Sequence, residues 1–427
     1  MFSAASLGEW LAYIERQHAQ PIALGLDRVK QVLAALPARH RGLVITVGGT
    51  NGKGSTCAML EAILRAAGYS VGLYTSPHLL HYNERVRLNS VSADDAALCE
   101  AFAAVEAARC SLAEPVPLTY FEYGTLAAWW LFCRSQLDVV ILEVGLGGRL
   151  DAVNAIEPDC AIVTGVAMDH MDYLGDTREA IGFEKAGIFR PGKPAIVGDP
   201  QPPQSLIGHA KNIGADLRVS GQDFGFSGDK QQWQFRGRSQ RRSSMAYPAL
   251  RGANQLLNAS SVLAALESIE ERLPVPMQAV RQGLMLVELP ARFQVLPGRP
   301  AVVLDVAHNP QAAAVLSENF ANMGFFSNTL AVCGMLLDKD IPGTLRALDA
   351  RVDRWYLCDL GGPRGAKAQV LAEALQAIGS QAAVELFADP AAAFNAARAA
   401  AGEGDRIVAF GSFLTVAAVM QTLQTPR

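Results

Sequence analysis

A chain of 427 residues exceeds the size at which a single hydrophobic core stops growing, so two domains are expected. Half of the residues are hydrophobic and 18% are charged, which excludes a disordered or fibrous chain and suits a well-buried globular enzyme. A net charge of −4 with no basic arm argues against a nucleic-acid partner, and no run of 18 uncharged apolar residues is present to span a membrane.

Taken in chain order, the N-terminal stretch MFSAASLGEWLAYIERQ has an amphipathic helical pattern and carries Glu9, Glu15 and Arg16, unlike a signal peptide. Cys57, Cys99, Cys110, Cys133, Cys160, Cys333 and Cys358 form no C-x-x-C pair, which points to reduced thiols in a cytosolic protein. An apolar strand, Leu43–Val47, then runs into GGTNGKGST. Aligned on Lys53 with the Walker A pattern G-x-x-x-x-G-K-[ST], this loop has Val47 in place of the first Gly, and Gly54 separates Lys53 from Ser55. The physical arrangement survives, because Gly48, Gly49, Gly52 and Gly54 lie between a strand and a helical pattern carrying Leu60, Ile63, Leu64 and Ala67. Glycines allow close backbone approach to an anion, and a helix N-terminus attracts one. A turn that binds nothing has no need of Lys53, so phosphate binding is the expectation.

The segment TSPHLLHYNERVRL follows the strand Val71–Thr75; Ser76 offers a hydroxyl to Mg²⁺, while His78, His81, Glu84 and Arg85 are candidates to face an anionic substrate. The strand Val139–Val144 is hydrophobic until Glu143, beside a glycine-rich turn with Arg149 and Asp151. An acid at the carboxyl end of a parallel strand can hold Mg²⁺ or position water. The strand Ala161–Val166 also turns polar at its end, with Asp169, His170 and Asp172, and His170 with Glu143 would suit Mg²⁺ on a nucleotide. Lys185 in EKAGIF reads, from pattern alone, as an ordinary surface lysine. After the strand Ala195–Val197, residues 217–250 alternate polar and aromatic side chains, the pattern of an antiparallel excursion in which Arg236, Arg238, Arg241 and Arg242 make a solvated loop.

The Pro-marked stretch LPARFQVLPGRP separates a second set of strands, Ala301–Val306, Leu330–Cys333, Trp355–Cys358, Val384–Phe387 and Ile407–Phe410. The expected fold is α/β: an N-terminal domain over residues 1–296, with a P-loop, a mostly parallel sheet and a small antiparallel excursion, and a Rossmann-like α/β domain over 297–427. In DVAHNP, Asp305 could take up ribose hydroxyls with His308 and Asn309 beside it; a turn with a helix cap before Pro310 is the alternative.

Assembled in order, LGLDRV, GTNGKGST, YTSPHL, TYFEYGTLAA, LEVGLGGRLDAVN, DHMDYLG, EKAGIFRPGKP, ARFQ, DVAHNP, GMLLDKD and FGSF resemble the folylpolyglutamate synthase family over nearly the whole chain. The likeness is to its bifunctional bacterial members, which are also dihydrofolate synthases, and more distantly to the Mur ligases of cell-wall synthesis. It implies an ATP-dependent amide ligase. ATP would phosphorylate a carboxylate, and the amine of L-glutamate would displace phosphate from the acyl phosphate. The acceptors would be 7,8-dihydropteroate and reduced folates, with the C-terminal domain as the glutamate-ligase domain.

Carried over by position, the likeness implies that Thr50, Asn51, Gly52, Lys53, Gly54 and Ser55 hold the ATP phosphates, with Asn258, Arg292 and Asp305 as further ATP contacts. Ser76, Glu143 and His170 would bind Mg²⁺, and Lys185 would be a carbamylated lysine whose added carboxylate holds a second metal; a monovalent cation such as K⁺ would complete the set. Lys53, Lys185 and His308 would be the catalytic side chains. The pterin would lie against Ala23, Leu24, Gly25 and Leu26, against Thr119, Tyr120, Phe121 and Glu122, and against Leu150, Asp151 and Ala152. Asp305 and His308 fall in the second domain, so the site would close across a hinge, excluding water from the acyl phosphate. Gly48 and Ala23 depart from the commoner family spelling, and Gly54 moves Ser55 out of register with the usual metal-binding hydroxyl, a place left to Ser76. The implied protein is a cytoplasmic monomer with no nucleic-acid or membrane partner. A Mur-type ligase acting on a nucleotide-linked sugar would need a further N-terminal domain, whereas 42 residues precede Leu43. A non-catalytic nucleotide binder gives no reason for Glu143, His170 and Lys185 to occur together.

Overall fold

The apolar run expected as a strand forms Leu43–Gly48, and every one of its residues is buried. Burial without alternation marks an interior parallel strand covered on both faces. The computed structural model describes residues 2, 4–20, 22–37, 39–229, 231–252 and 254–424. The chain divides into two compact units, the first made of Met1–Val166, Leu174–Ala249 and Leu256–Val287, the second of Ala167–Tyr173, Leu250–Gln255 and Glu288–Arg427.

The first unit holds a sheet of β1 (Leu43–Gly48), β2 (Val71–Tyr74), β3 (Val86–Leu88), β4 (Val91–Ser92), β5 (Val139–Glu143), β6 (Cys160–Val163), β7 (Pro194–Val197) and β8 (Asp216–Val219), in the order β4-β3-β2-β5-β1-β6-β7-β8. β1 is central and parallel to both neighbours, with Val47 opposite Glu143 on β5 and Ile162 on β6. The register therefore brings the glycine-rich turn after β1 and the Glu143 carboxylate to the same end of adjacent strands. A separate antiparallel sheet, β9 (Gly225–Gly228), β10 (Trp233–Arg236) and β11 (Arg241–Met245), is the expected excursion. Trp233 and Phe235 are buried while Gln234 and Arg236 are exposed, the alternation of a sheet with one wet face. Its arginines are dispersed: Arg238 pairs with Asp216 at 2.6 Å and Asp223 at 2.9 Å, and Arg242 donates to the Val275 carbonyl at 3.2 Å.

The second unit carries β12 (Gln294–Leu296), β13 (Ala301–Leu304), β14 (Thr329–Cys333), β15 (Arg354–Cys358), β16 (Ala383–Phe387) and β17 (Arg406–Phe410), in the order β12-β13-β17-β14-β15-β16. Five strands are parallel, as expected, and β12 is an added antiparallel edge on β13. Trp355, Phe410, Phe320, Leu345 and Leu371 form part of its core. Two strands end two or three residues earlier than their apolar runs suggest. Thr164 leaves β6 so that its hydroxyl can donate to the Asn51 carbonyl at 2.7 Å, and Asp305 leaves β13 to accept backbone N–H groups. All seven cysteines are free thiols, and no helix among the described residues is long and apolar enough to cross a membrane.

The helices Leu7–Ile14, Asp95–Cys110 and Tyr120–Arg134 meet at one buried carboxylate. Glu106, 1% exposed, accepts from Arg109 Nε and Nη2 at 2.9 Å, from Tyr13 Oη at 2.9 Å, from Cys110 Sγ at 3.2 Å and from Tyr123 Oη. Burial disfavours the charge, but hydrogen bonds from Arg109, Tyr123, Cys110 and Tyr13 together outweigh it and hold the carboxyl down at about 2. Replacing Glu106 by Gln leaves Arg109 buried without its countercharge, so unfolding free energy from urea titration at neutral pH should fall by about 3 kcal/mol. A depressed carboxyl contributes its stability above the ordinary value of 4.5 and loses it as pH falls through about 2. The gap between wild type and Glu106→Gln should narrow across that window; a gap that does not change with pH would contradict the assignment.

Candidate active site

The turn after β1 lies against two side chains from elsewhere in the first unit. Gly49 has φ +140° and Gly52 φ +92°, both in the region that favours glycine. A Cβ at Gly49 would stand 1.9 Å from Thr164 Oγ1, and one at Gly52 would stand 2.6 Å from Asn258 Oδ1. The main chain itself therefore lines this surface. Gly52 caps the helix Lys53–Ala66, whose N-terminal dipole favours an anion. Lys53 Nζ donates to the carbonyls of Gly49 at 3.0 Å and Thr50 at 3.1 Å, so its ammonium lies over the turn. The Thr50 N–H is donated to Gly165 at 2.8 Å, which anchors the turn to the segment after β6. Ser55 is buried in the first helical turn.

Neighbouring strand ends add the candidate metal ligands. Glu143, at the end of β5, is 4% exposed and accepts the Ser76 N–H at 3.2 Å. Ser76 follows β2, so the order β2-β5-β1 sets Ser76, Glu143 and the turn side by side. Lys185, at the end of the helix Arg178–Ala186, is 3% exposed and so is not the surface lysine its local pattern suggests. The helix end carrying it backs the turn after β5, where the Arg149 N–H donates to the Glu184 carbonyl at 2.7 Å. Among the described residues no three His, Cys, Asp or Glu side chains gather as a metal cage. That donor set fits Mg²⁺ on a nucleotide, which binds through one or two carboxylates and phosphate oxygens, better than a dedicated protein site.

The three segments assigned to the pterin converge. The Gly25 N–H donates to the Leu150 carbonyl at 3.2 Å, and Arg28 Nη2 donates both to the Ala23 carbonyl and to Glu122 Oε1 at 2.8 Å. Thr119 caps the helix that Tyr120 begins, Phe121 packs on Gly145, and Asp151 accepts from the amides of Leu146 at 2.8 Å and Val153 at 2.9 Å. Burial pushes the Asp151 carboxyl up to about 6 against the pull of those amides. Leu24, Leu26 and Leu150 are half-buried and Ala152 is buried. In the neighbouring TSPHLLHYNERVRL segment, Glu84 accepts the N–H groups of Leu79, Leu80 and His81 at 2.7 to 2.8 Å, which makes it a loop fastener. Arg85 donates to His78 Nδ1 at 2.8 Å and lies over the rings of Tyr82 and Tyr120. Burial, then Arg85, pushes His78 down to about 4, so at neutral pH it is uncharged.

In the second unit, Arg292 sits between two residues with left-handed backbone, Ala291 at φ +60° and Phe293 at φ +46°. Such conformations cost about 1–3 kcal/mol each for non-glycine residues and persist only where neighbours enforce them. Asp305 does so, accepting from the Phe293 and Ala307 amides at 2.7 Å, and Gln294 Oε1 accepts from Ala291 at 3.0 Å. Burial pushes the Asp305 carboxyl up, with Arg292 pulling the other way. The Arg292 guanidinium lies 5.2 Å from the Phe413 ring centroid. His170, also in this unit and at φ +52°, has Nε2 3.2 Å from Lys339 Nζ. Asp169 joins the group, with Lys339 at 2.7 Å and His308 Nε2 at 3.6 Å, while His308 Nδ1 is 2.8 Å from the Val306 carbonyl. Burial opposes the charge on Asp169, but His308, Lys339 and His170 outweigh it and hold the carboxyl well below its usual range. Asn309 caps the helix Pro310–Ala321 and its Nδ2 reaches Asp169 at 3.5 Å. Sequence reasoning gave no role to Arg28, Thr164, Asp169, Lys339 or Phe413. Lys339 and Phe413 lie in GMLLDKD and FGSF, which marked the place without the partner.

Known ligases match this chain over nearly its whole length. Residues 47–264 match the Mur ligase middle domain, and residues 291–413 match the Mur ligase glutamate ligase domain. The dihydrofolate synthase/folylpolyglutamate synthase of Escherichia coli K12 is 46% identical over 426 residues, covering 100% of this chain and 97% of the relative. FolC of E. coli in complex with DHPP and ADP superposes with a TM-score of 0.92 at 46% identity, covering 99% of each chain. The bifunctional folylpolyglutamate synthase/dihydrofolate synthase of Yersinia pestis, complexed with AMPPNP and Mn ion, does so with a TM-score of 0.91 at 46% identity over 100% of each chain.

The crowding at Gly52 gives a direct test of the turn. Gly52→Ala should retain the wild-type circular dichroism spectrum yet bind ADP at least ~10-fold more weakly, read as loss of the ADP-induced thermal shift. Wild-type affinity in this variant would show that the turn does not carry the phosphates.

Proposed function

The chain belongs to the Mur ligase family and, within it, to the bifunctional dihydrofolate synthase/folylpolyglutamate synthases, and from this premise we propose how its residues act. The protein is an ATP-dependent acid–amino-acid ligase that joins L-glutamate to 7,8-dihydropteroate, giving dihydrofolate, and to reduced folates, giving folylpolyglutamates. The observation that carries the reading is the shared edge of β2, β5 and β1, where Ser76, Glu143 and the Lys53 turn meet. The segments around Gly25, Thr119 and Leu150 belong to the same unit and are tied to one another.

In the proposed reaction an acceptor carboxylate oxygen attacks the γ-phosphorus of ATP and ADP departs. The α-amine of glutamate, once deprotonated, attacks the acyl carbon, and phosphate leaves with the former carboxylate oxygen. Two anions must approach in the first step, so positive groups are required. Lys53 and the N-terminus of its helix would take the terminal phosphates, and Arg292 would offset charge on the nucleotide. Asp305 holds the Phe293 amide and thereby the Arg292 turn, a positioning task compatible with the ATP contact expected of it. Mg²⁺ held by Ser76 and Glu143 would neutralise developing phosphate charge; His170, expected as a further ligand, belongs to the second unit. Lys185 in its uncharged form would add CO₂ with loss of a proton, giving a carbamate able to hold a second cation. His308, its ring fixed by the Val306 carbonyl and facing Asp169, is the third catalytic side chain proposed. Asn51, Gly54, Ser55 and Asn258 would complete the nucleotide contacts. No covalent enzyme intermediate is needed.

An assay with ATP, L-glutamate and either 7,8-dihydropteroate or a reduced folate should release phosphate and give products heavier by one glutamyl residue. Absence of ligation with both acceptors would refute the function, and turnover with the folate alone would remove the synthase half. Lys185→Ala should cut kcat at least ~1,000-fold, and added bicarbonate should not restore it. Near-normal turnover in this variant would exclude the carbamate.

A further inference from the structure

We propose that Arg28 is a positioning residue for the acceptor, clamping the loop before it to the start of the helix Tyr120–Arg134 through Glu122. The inference rests on the reading above that residues 23–26 and 119–122 hold the pterin. Residues 22–26 have neither helix nor strand, so nothing in the local backbone fixes their path. Two hydrogen bonds do: Gly25 N–H to the Leu150 carbonyl at 3.2 Å, and Arg28 Nη2 to the Ala23 carbonyl at 2.8 Å. The same guanidinium meets Glu122 twice, Nη2 to Oε1 at 2.8 Å and Nε to Oε2 at 3.4 Å. Glu122 Oε2 also accepts the Thr119 N–H at 2.7 Å, and Thr119 Oγ1 accepts the Glu122 N–H at 3.2 Å. One planar cation thus joins two acceptor segments separated by 94 residues.

Burial shows which partner is fixed. The Glu122 side chain is 4% exposed and that of Arg28 26% exposed, so the carboxylate is the buried post and the arginine the bar closing on it. With Arg28 and the Thr119 amide engaged, Glu122 acts on substrate through these partners rather than by touching it. A lysine could keep the charge but not serve a carbonyl and both carboxylate oxygens from one rigid fork. Without the clamp, residues 22–26 would sample open conformations, and acceptor affinity would fall with the fraction of closed loop. ATP contacts lie on other segments and would be unaffected.

The test combines kinetics with hydrogen exchange on the full chain. Arg28→Ala should raise KM for 7,8-dihydropteroate ~10-fold or more, with KM for ATP changed less than ~2-fold, and Arg28→Lys should remain at least ~5-fold raised. Arg28→Ala and Glu122→Gln combined should cost little more than either alone, as expected of one unit. Amide exchange at 22–28 and 119–122 should quicken in Arg28→Ala while residues 43–66 keep their protection. Equal rises in both KM values, an unchanged acceptor KM, or unchanged exchange at 22–28 would overturn the clamp. Should wild type ligate neither acceptor, the functional reading fails and the acceptor role with it, and the exchange measurement alone then decides whether the clamp exists.

Discussion

The contact of Gly49 with Thr164 and of Gly52 with Asn258 is the constraint on which the first unit's chemistry depends. A side chain at either glycine would lift the turn off the end of β6 and off the helix Gln255–Ser268. Because the turn lies flat there, Lys53 starts its helix with the ammonium folded over the loop. Because β1 and β5 are parallel and in register at Val47 and Glu143, the carboxylate lands beside the turn without any long-range design. Ser76 follows from the next strand over. A candidate phosphate loop and a candidate cation site are therefore consequences of one sheet register and two tight contacts.

Buried carboxylates organise the rest, and their partners decide what each can do. Glu106 is surrounded by donors and fastens three helices. Glu122 is engaged by Arg28 and a backbone amide, which gives it a positioning role. Asp151 is held mainly by amides, with Lys53 pulling in the same direction, yet burial outweighs both and pushes it up to about 6. In the second unit Asp169 is bound by Lys339 and faces His308, while Asp305 enforces the left-handed turn around Arg292.

The parallel strands were legible because interior strands read as unbroken apolar runs, and all ten expected strands form. β3, β4 and β12 escaped notice because each is short and partly exposed, with too few residues for a period to show, and β8 overlaps the antiparallel excursion read over 217–250 although it pairs parallel with β7. Glu143 was legible because a charge closing an apolar run is conspicuous. Lys185 was misread from pattern, since its burial comes from packing beneath the turn after β5, which no local periodicity encodes; only the family likeness singled it out. Arg28, although inside LGLDRV, and Glu106 drew no role for the same reason: Arg28 meets Glu122 94 residues away, and Glu106 meets Tyr13 93 residues away. Local pattern reports which side chains are buried or cap an element. It does not report which distant charge they will meet.

The central step is transfer of the γ-phosphoryl group to the acceptor carboxylate, and oxygen labelling reports on it directly. When 7,8-dihydropteroate carrying ¹⁸O in both carboxylate positions is ligated to L-glutamate with unlabelled ATP, each phosphate released should contain one ¹⁸O, because the acceptor oxygen leaves with the phosphoryl group. Unlabelled phosphate accompanying full ligation would rule out an acyl phosphate and, with it, the roles proposed for Lys53, Arg292 and the Lys185 carbamate.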